Sequence, residues 1–192
     1  GTLKADEEVV ISSEVDGIVK TVTVEEGSAV ERGTLLAEIN DIDYALDAKR
    51  ADAALKQAQA NLANVKAEFQ RKDALFREEL ITRQQFDDIS TRVALAEADL
   101  ARSKATLDTS RERLARTRIY SPLRGMVKEK RISVGDYVRT SSPLFQLIKV
   151  DLLKLNFTVG EKDLAALKTG QDVDFTVDSF PDKKFKGRVN LL

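Results

Sequence analysis

The sequence predicts an α+β fold, in which a β-sandwich is split by a long antiparallel α-helical (coiled-coil) hairpin and followed by part of a β-barrel. Two observations indicate this arrangement. Residues 34–121 contain neither Gly nor Pro and are rich in good helix formers, whereas the flanking segments alternate Val, Ile and Thr with polar residues. The two flanking segments also repeat one another at an offset of 108 residues. A helical block therefore interrupts one β domain.

The helical block carries two apolar heptad series, which predict two helices that face one another through one seam each. The first series is Ala48, Leu55, Leu62, Phe69 and Phe76, with Ala51, Ala58 and Val65 as its second layer. The second series is Phe86, Val93, Leu100, Leu107 and Leu114, with Ile89, Ala96, Ser103 and Ser110 as its second layer. The two series do not share a phase, so a tight turn must separate them and the helices must pack antiparallel.

The start of the second helix has a capping box. Thr82 is followed three residues later by Gln85, and Ile81 and Phe86 occupy the positions of a hydrophobic staple. These signals predict a second helix from about residue 83 to about residue 116. At about 1.5 Å per residue, each arm of the hairpin is roughly 50 Å long and protrudes well beyond a small β domain.

The flanking segments predict two halves of one sandwich. Residues 15–19 (VDGIV) match residues 123–127 (LRGMV), and at the same offset Gly27 matches Gly135 and Leu36 matches Leu144. Each copy has only about 30 residues, too few to bury its own apolar face, so the copies must pack together.

The segment after Lys149 predicts part of a β-barrel. Residues 153–159 alternate as in a strand, residues 161–168 have helical spacing, and Gly170 suits the end of that helix. A further strand is predicted around 173–177, a turn at 180–183, and a last strand over 185–192.

The composition excludes most catalytic chemistry. The 192 residues include 31 Lys plus Arg and 32 Asp plus Glu, with no His and no Cys. The usual general base, thiol nucleophile and metal ligands are therefore missing, and we expect no enzyme activity, cofactor or metal. The net charge of −1 means that no large positive electrostatic field attracts nucleic acid. The basic run Arg111, Arg113, Arg116 and Arg118 is interrupted by Glu112 and indicates a solvated helix face.

Three segments carry a resemblance to a known family: residues 11–19, residues 119–125, and residues 161–164 with Gly170 and Gln171. The repeated halves resemble a lipoyl (biotinyl) domain. The whole arrangement resembles the periplasmic adaptor, or membrane fusion, proteins of bacterial tripartite efflux pumps, of the resistance-nodulation-division type. The resemblance implies a strand leading into a barrel at 1–10, lipoyl-like half-domains at 11–40 and 119–149, a hairpin at 41–118 and barrel residues at 150–192.

The subset of this family that serves transporters of the resistance-nodulation-division type carries an Arg, a Leu four residues later and a Ser seven residues after that at the hairpin tip. Arg71, Leu75 and Thr82 stand at this spacing, and Thr keeps the hydroxyl of Ser. The resemblance therefore implies that these three residues bind an outer-membrane channel. Leu80 and Ile81 lie near them and suggest a small apolar contact surface. The residues alone also fit a simpler interpretation, in which Arg71 is a solvated charge, Leu75 covers the end of the seam and Thr82 caps a helix.

The resemblance also implies partners and a location. These are an inner-membrane transporter of the resistance-nodulation-division type, a TolC-type outer-membrane channel, further copies of the chain as a trimer or hexamer, and the periplasm, with an anchor in the inner membrane. An adaptor of an ABC-type exporter or a type I secretion system is an alternative, although such adaptors as a rule lack the tip spacing.

Two other functions are less favoured. A lipoyl or biotin carrier needs a Lys at the junction of its half-domains, and residues 40–43 (NDID) contain none. A heavy-metal efflux adaptor is conceivable, but the absence of His and Cys, with Met126 the single Met, argues against metal handling.

Overall fold

The computed structural model describes residues 2–5, 8–149, 153–156, 168–177 and 180–189. The chain contacts divide it into two compact units, one of residues 5–152 and one that combines residues 1–4 with 153–192. The first unit contains the helical hairpin and the β-sandwich, and the second contains the remaining strands.

The hairpin consists of helix α1 (Ile42–Arg77) and helix α2 (Arg83–Ala115). All the predicted seam residues of both helices are buried or half-buried, which confirms the heptad phases. The buried members are Ala48, Ala51, Ala58, Leu62 and Val65 on α1, with Ile89, Ala96 and Leu107 on α2. Ion pairs join the two helices outside the seam, among them Lys66 Nζ to Glu97 Oε1 at 2.7 Å and Arg92 Nη1 to Glu68 Oε2 at 2.9 Å.

The β-sandwich has two four-stranded sheets. Its strands are β2 (Glu8–Ser12), β3 (Gly17–Val22), β4 (Ala29–Val30), β5 (Leu35–Ile39), β6 (Arg118–Tyr120), β7 (Gly125–Lys130), β8 (Tyr137–Val138) and β9 (Pro143–Ile148). One sheet has the order β2-β9-β7-β4 and the other β6-β5-β3-β8. Every neighbouring pair is antiparallel. Strand β2 pairs with β9 from Glu8 onward, slightly before the predicted beginning of the first half-domain at residue 11.

The two halves interlock rather than form one sheet each. Each sheet takes two strands from the segment before the hairpin and two from the segment after it. Matching hydrogen bonds cross between the halves: the Gly27 N–H donates to the Val127 carbonyl at 2.8 Å, and the Gly135 N–H donates to the Val19 carbonyl at 2.9 Å. The sequence repeat is therefore a twofold structural repeat, and neither half has a complete sheet without the other.

The core of the sandwich comes from equivalent positions of the repeat. Leu36 and Leu144 are both fully buried, and Val19 and Val127 are almost fully buried. Among the described residues, Phe145 is the largest fully buried side chain. Tyr44, on the first turn of α1, packs partly against this core and donates a hydrogen bond to the Asp16 carbonyl at 2.8 Å. The base of the hairpin is thus attached to the sandwich.

In the described part of the second unit there are two pairs of strands. Strand β1 (Thr2–Ala5) pairs with β10 (Leu153–Asn156), and β11 (Asp172–Val177) pairs antiparallel with β12 (Phe180–Arg188). The rings of Phe175 and Phe185 stack with centroids 5.7 Å apart.

The predicted turn at 180–183 is wrong, because these residues belong to β12. Val177 pairs directly with Phe180, and the register is interrupted between Phe175 and Val177. Pro181 therefore lies where the ladder is irregular, which is a usual place for a proline within a sheet. The predicted helix at 161–168, the strand residues 157–159 and the end of the last strand at 190–192 lie outside the described residues, apart from Lys168.

Candidate functional site

Helix α1 ends at the tip in a Schellman motif. Glu78 is the C-cap residue. The Glu79 N–H donates to the Phe76 carbonyl at 3.0 Å, and the Leu80 N–H donates to the Leu75 carbonyl at 2.9 Å. Glu79 has a φ of 59°, which is the left-handed conformation that the motif requires at this position. The turn thus satisfies the carbonyl groups of Leu75 and Phe76 at the end of the helix.

Helix α2 begins with the predicted capping box. The Gln85 N–H donates to Thr82 Oγ1 at 3.3 Å, and the Thr82 N–H donates to Gln85 Oε1 at 3.0 Å. Thr82 has extended backbone angles, as an N-cap residue requires. This arrangement confirms the sequence prediction for the turn and fixes the direction in which the second helix leaves it.

Aromatic residues support the turn from inside the hairpin. The rings of Phe76 and Phe86 stack with centroids 4.7 Å apart, and Phe69 lies 5.6 Å from Phe86. Phe76, Phe86 and Ile81 are half-buried. The seam therefore continues to the last turn of α1 and the first turn of α2, and aromatic packing supports the tip from inside.

The three predicted site residues all lie at this end of the hairpin, and all are exposed. Arg71 and Leu75 are one turn apart on α1, and Thr82 precedes α2. Within the described part of the chain Arg71 makes no ion pair, whereas the nearby Arg77 binds Asp73 at 2.8 Å. The side chain of Leu75 is 40 % exposed. A cation, an apolar group and a hydroxyl are thus exposed at one end of the hairpin.

Sequence reasoning missed the contribution of Glu79. A left-handed C-cap is normally announced by Gly or Asn, and neither is present in the turn. The heptad break between Phe76 and Phe86 showed that a turn exists but gave no indication of its type. Leu80, which follows Glu79, is exposed over 65 % of its surface.

The basic run at the base of the hairpin is largely neutralised by carboxylates. Arg111 lies 3.5 Å from Asp52, and Arg118 lies 3.3 Å from Glu38. Arg116 contacts both Glu14, at 3.2 Å, and Glu112, at 3.4 Å. Because these charges are paired on the surface, they fit a solvated structural face and leave little positive charge for a polyanion.

No group of metal-ligating side chains assembles in the described ranges: three or more Asp or Glu nowhere come together in a way that could hold an ion. Neither helix in these ranges is both apolar enough and long enough to cross a membrane.

A family model described as the CzcB-like barrel-sandwich hybrid domain matches residues 7–148. Among curated proteins, the chain is 30 % identical over 167 residues to the multidrug resistance protein MdtA of Proteus mirabilis, covering 86 % of this chain and 41 % of that protein. MdtA of Yersinia pseudotuberculosis is also 30 % identical, over 89 % of this chain and 39 % of that protein. The chain thus spans about two fifths of the length of these relatives.

Solved structures of adaptor proteins have a similar fold. The chain matches MacA of Actinobacillus actinomycetemcomitans with a TM-score of 0.80 at 22 % identity, over 99 % of this chain and 64 % of that one. It matches a MacA–MexA chimera that contains the Pseudomonas aeruginosa MexA α-hairpin with a TM-score of 0.66 at 28 % identity, over 98 % of this chain and 62 % of that one. A split sandwich with an inserted hairpin and a matching family model lead to one conclusion: the chain belongs to the membrane fusion (periplasmic adaptor) protein family and carries its CzcB-like barrel-sandwich hybrid domain.

Proposed function

We propose that this chain is the central part of an efflux adaptor that links an inner-membrane transporter of the resistance-nodulation-division type to a TolC-type outer-membrane channel. The observation that carries the proposal is the hairpin. Its helices of 36 and 33 residues extend for about 50 Å and end in a packed tip that exposes Arg71, Leu75 and Thr82. Such a tip is suited to contact a partner far from the sandwich. The name of the relatives, multidrug resistance protein, supports the same role.

The mechanism that we propose is assembly rather than catalysis, in keeping with a non-enzymatic family. Copies of the adaptor surround a common axis in the periplasm, tethered to the inner membrane, and their hairpins reach the channel. Arg71 donates to carboxylate or carbonyl oxygens of the channel, and Leu75 buries its exposed surface there. Each contact is weak by itself, so repetition around the ring supplies the affinity.

The proposal is tested by Arg71→Asp and Leu75→Ser in the full-length protein. We expect both variants to lose drug resistance in cells while their far-UV circular dichroism stays helical. The matched controls are Arg113→Asp, an exposed arginine at the base of the hairpin that has no ion pair with another described residue, and Leu95→Ser, an exposed leucine in the middle of α2. Normal resistance in both tip variants, at normal expression, would contradict the role of the tip.

Thr82 needs a separate test because it already caps α2. Thr82→Ser keeps both the cap and the hydroxyl, so it should preserve resistance. Thr82→Asp keeps a good N-cap but removes the hydroxyl. We expect it to preserve stability and weaken channel binding. Equal channel binding by the Asp variant and the wild type would restrict Thr82 to its capping role.

The transporter class is tested by purifying the crosslinked adaptor from membranes and identifying the transporter that accompanies it. We expect a transporter of the resistance-nodulation-division type. Recovery of an ABC-type exporter instead would keep the adaptor role and replace its inner-membrane partner.

A further inference from the structure

Leu80 is a large apolar side chain at the tip that contributes little to the packing of the hairpin. The neighbouring apolar residues Phe76, Ile81 and Phe86 are half-buried, and Phe76 and Phe86 stack on one another. Leu80 remains 65 % exposed. A polar residue would serve equally well at such a position in an isolated hairpin, because hardly any apolar area is buried there.

The turn holds Leu80 in a defined place. The Leu80 N–H donates to the Leu75 carbonyl, and Glu79 before it adopts the left-handed conformation. Leu75 and Leu80 occupy the two positions of a Schellman motif whose side chains commonly lie together. Both are exposed, so one turn of the backbone presents two neighbouring leucines. Because the turn is already ordered, little conformational freedom is lost when these side chains bind a partner.

We propose that Leu80 is a fourth contact residue of the tip, that the left-handed turn at Glu79 positions it, and that Leu80 and Leu75 together enter an apolar pocket of the outer-membrane channel. This inference rests on the proposed function. The chemistry of the tip specifies the pocket. The two leucines require an apolar pocket. Arg71 has no ion-pair partner within the described part of the chain, so we expect carboxylate or carbonyl oxygens at the border of that pocket. Leu80 would then help to determine which channel the adaptor accepts.

The contact is tested with the full-length adaptor and the purified TolC-type channel of the same organism, immobilised for binding measurements. Leu80→Ser should weaken binding roughly tenfold or more, since a buried leucine is lost. Leu95→Ser removes a leucine of equal exposure, 65 %, from the middle of α2 and should bind within about twofold of the wild type. Equal weakening by the two variants would overturn the proposal, as would a melting temperature lowered by Leu80→Ser alone.

Leu75→Ser separates this inference from the proposed function. If Leu75→Ser weakens binding and Leu80→Ser does not, the tip still docks but Leu80 is not part of the contact, and the inference fails by itself. If Arg71→Asp, Leu75→Ser and Leu80→Ser all bind like the wild type, docking through the tip fails, and the inference fails with it.

The positioning role of Glu79 is tested with a pair of substitutions. Glu79→Gly accepts the left-handed conformation and should bind the channel within about twofold of the wild type. Glu79→Val disfavours that conformation and should lose binding about as strongly as Leu80→Ser, with unchanged helical content. If Glu79→Gly loses binding as completely as Glu79→Val, the carboxylate and not the turn is required, and the positioning part of the proposal is wrong.

Discussion

The hydroxyls of Ser13 and Ser121 make the same hydrogen bond in the two halves of the sandwich. Ser13 Oγ donates to the Val15 carbonyl at 2.5 Å, and Ser121 Oγ donates to the Leu123 carbonyl at 2.6 Å. Both serines are 2 % exposed. Their backbone N–H groups also make equivalent hydrogen bonds to the other half of the sandwich. The Ser13 N–H donates to the Ser142 carbonyl and the Ser121 N–H donates to the Thr34 carbonyl, at 2.9 Å in each case.

We therefore expect Ser13→Ala and Ser121→Ala to destabilise the sandwich to a similar extent. Each leaves a carbonyl without its hydroxyl donor in the protein interior, which costs about 1–3 kcal/mol in the free energy of unfolding. Urea denaturation measures the loss. Ser133→Ala is the control, because Ser133 is exposed and its hydroxyl has no hydrogen bond within the described residues. A loss at only one of the two sites would show that the repeat is not energetically symmetric.

Gly125 should tolerate no side chain. A Cβ at this position would lie 2.2 Å from the Ile148 carbonyl oxygen, a backbone atom that cannot move without distorting β9. We expect Gly125→Ala to lower the free energy of unfolding by about 3 kcal/mol or more. Gly27→Ala is the comparison, because Gly27 has open space around it and a φ of 82°, so only backbone strain of about 1–2 kcal/mol is expected. Equal losses would show that steric contact does not decide the effect.

Ile89 should contribute more to hairpin stability than Leu100, a residue of the main heptad series on α2. It is fully buried and packs with Leu62, Val65 and Ala96, whereas Leu100 is only half-buried. Ile89→Ala should cost about 2–5 kcal/mol, and Leu100→Ala should cost less. Unfolding in urea, followed by far-UV circular dichroism, gives both values. The exposed Leu95 serves as control, since Leu95→Ala should change stability by less than about 0.5 kcal/mol.

Asp16 should make the sandwich more sensitive to acid. The backbone N–H of Thr140, and to a smaller extent its hydroxyl, hold the pKa of the Asp16 carboxyl below its usual value. The ionised form is therefore favoured in the folded chain. Its contribution to stability is complete above the unfolded pKa of about 3.9 and is lost as the pH falls through the lowered folded pKa.

A carboxyl-detected NMR titration measures the Asp16 pKa directly. Thr140→Val removes the hydroxyl but keeps the N–H, so the pKa should rise part of the way toward its usual value. Asp16→Asn should flatten this part of the acid dependence of unfolding. An Asp16 pKa at or above its usual value in the wild-type chain would contradict the proposed hydrogen bonds.

The helical hairpin was predictable because its signals are local. A period of seven positions defines the seam, and a capping box of four residues defines the start of α2 at Arg83. The type of turn before it was not predictable, because Glu79 adopts a left-handed conformation without a glycine. The conformation is held there by the carbonyl groups of Leu75 and Phe76 and by the packed aromatic rings below them. For the candidate site, the spacing of Arg71, Leu75 and Thr82 predicted that the site lies at the hairpin tip. The folded turn places Leu80 beside Leu75, through the hydrogen bond from the Leu80 N–H to the Leu75 carbonyl.

The sequence alone determined the two helices, the two-part repeat and the apolar positions such as Leu36 and Leu144 that form the sandwich core. Only the tertiary structure decided how the halves combine. A repeat shows that two segments share a conformation, but strand pairing depends on backbone hydrogen bonds between residues that lie far apart in the sequence, such as Gly27 with Val127, which are 100 positions apart. Strand β2 pairs with β9, and β6 pairs with β5, so each pair joins the segment before the hairpin to the segment after it. The halves combine in this way because each is too small to bury its own apolar face. The physical reason is therefore separation along the chain: local patterns specify each element, whereas long-range burial selects the partner of each strand.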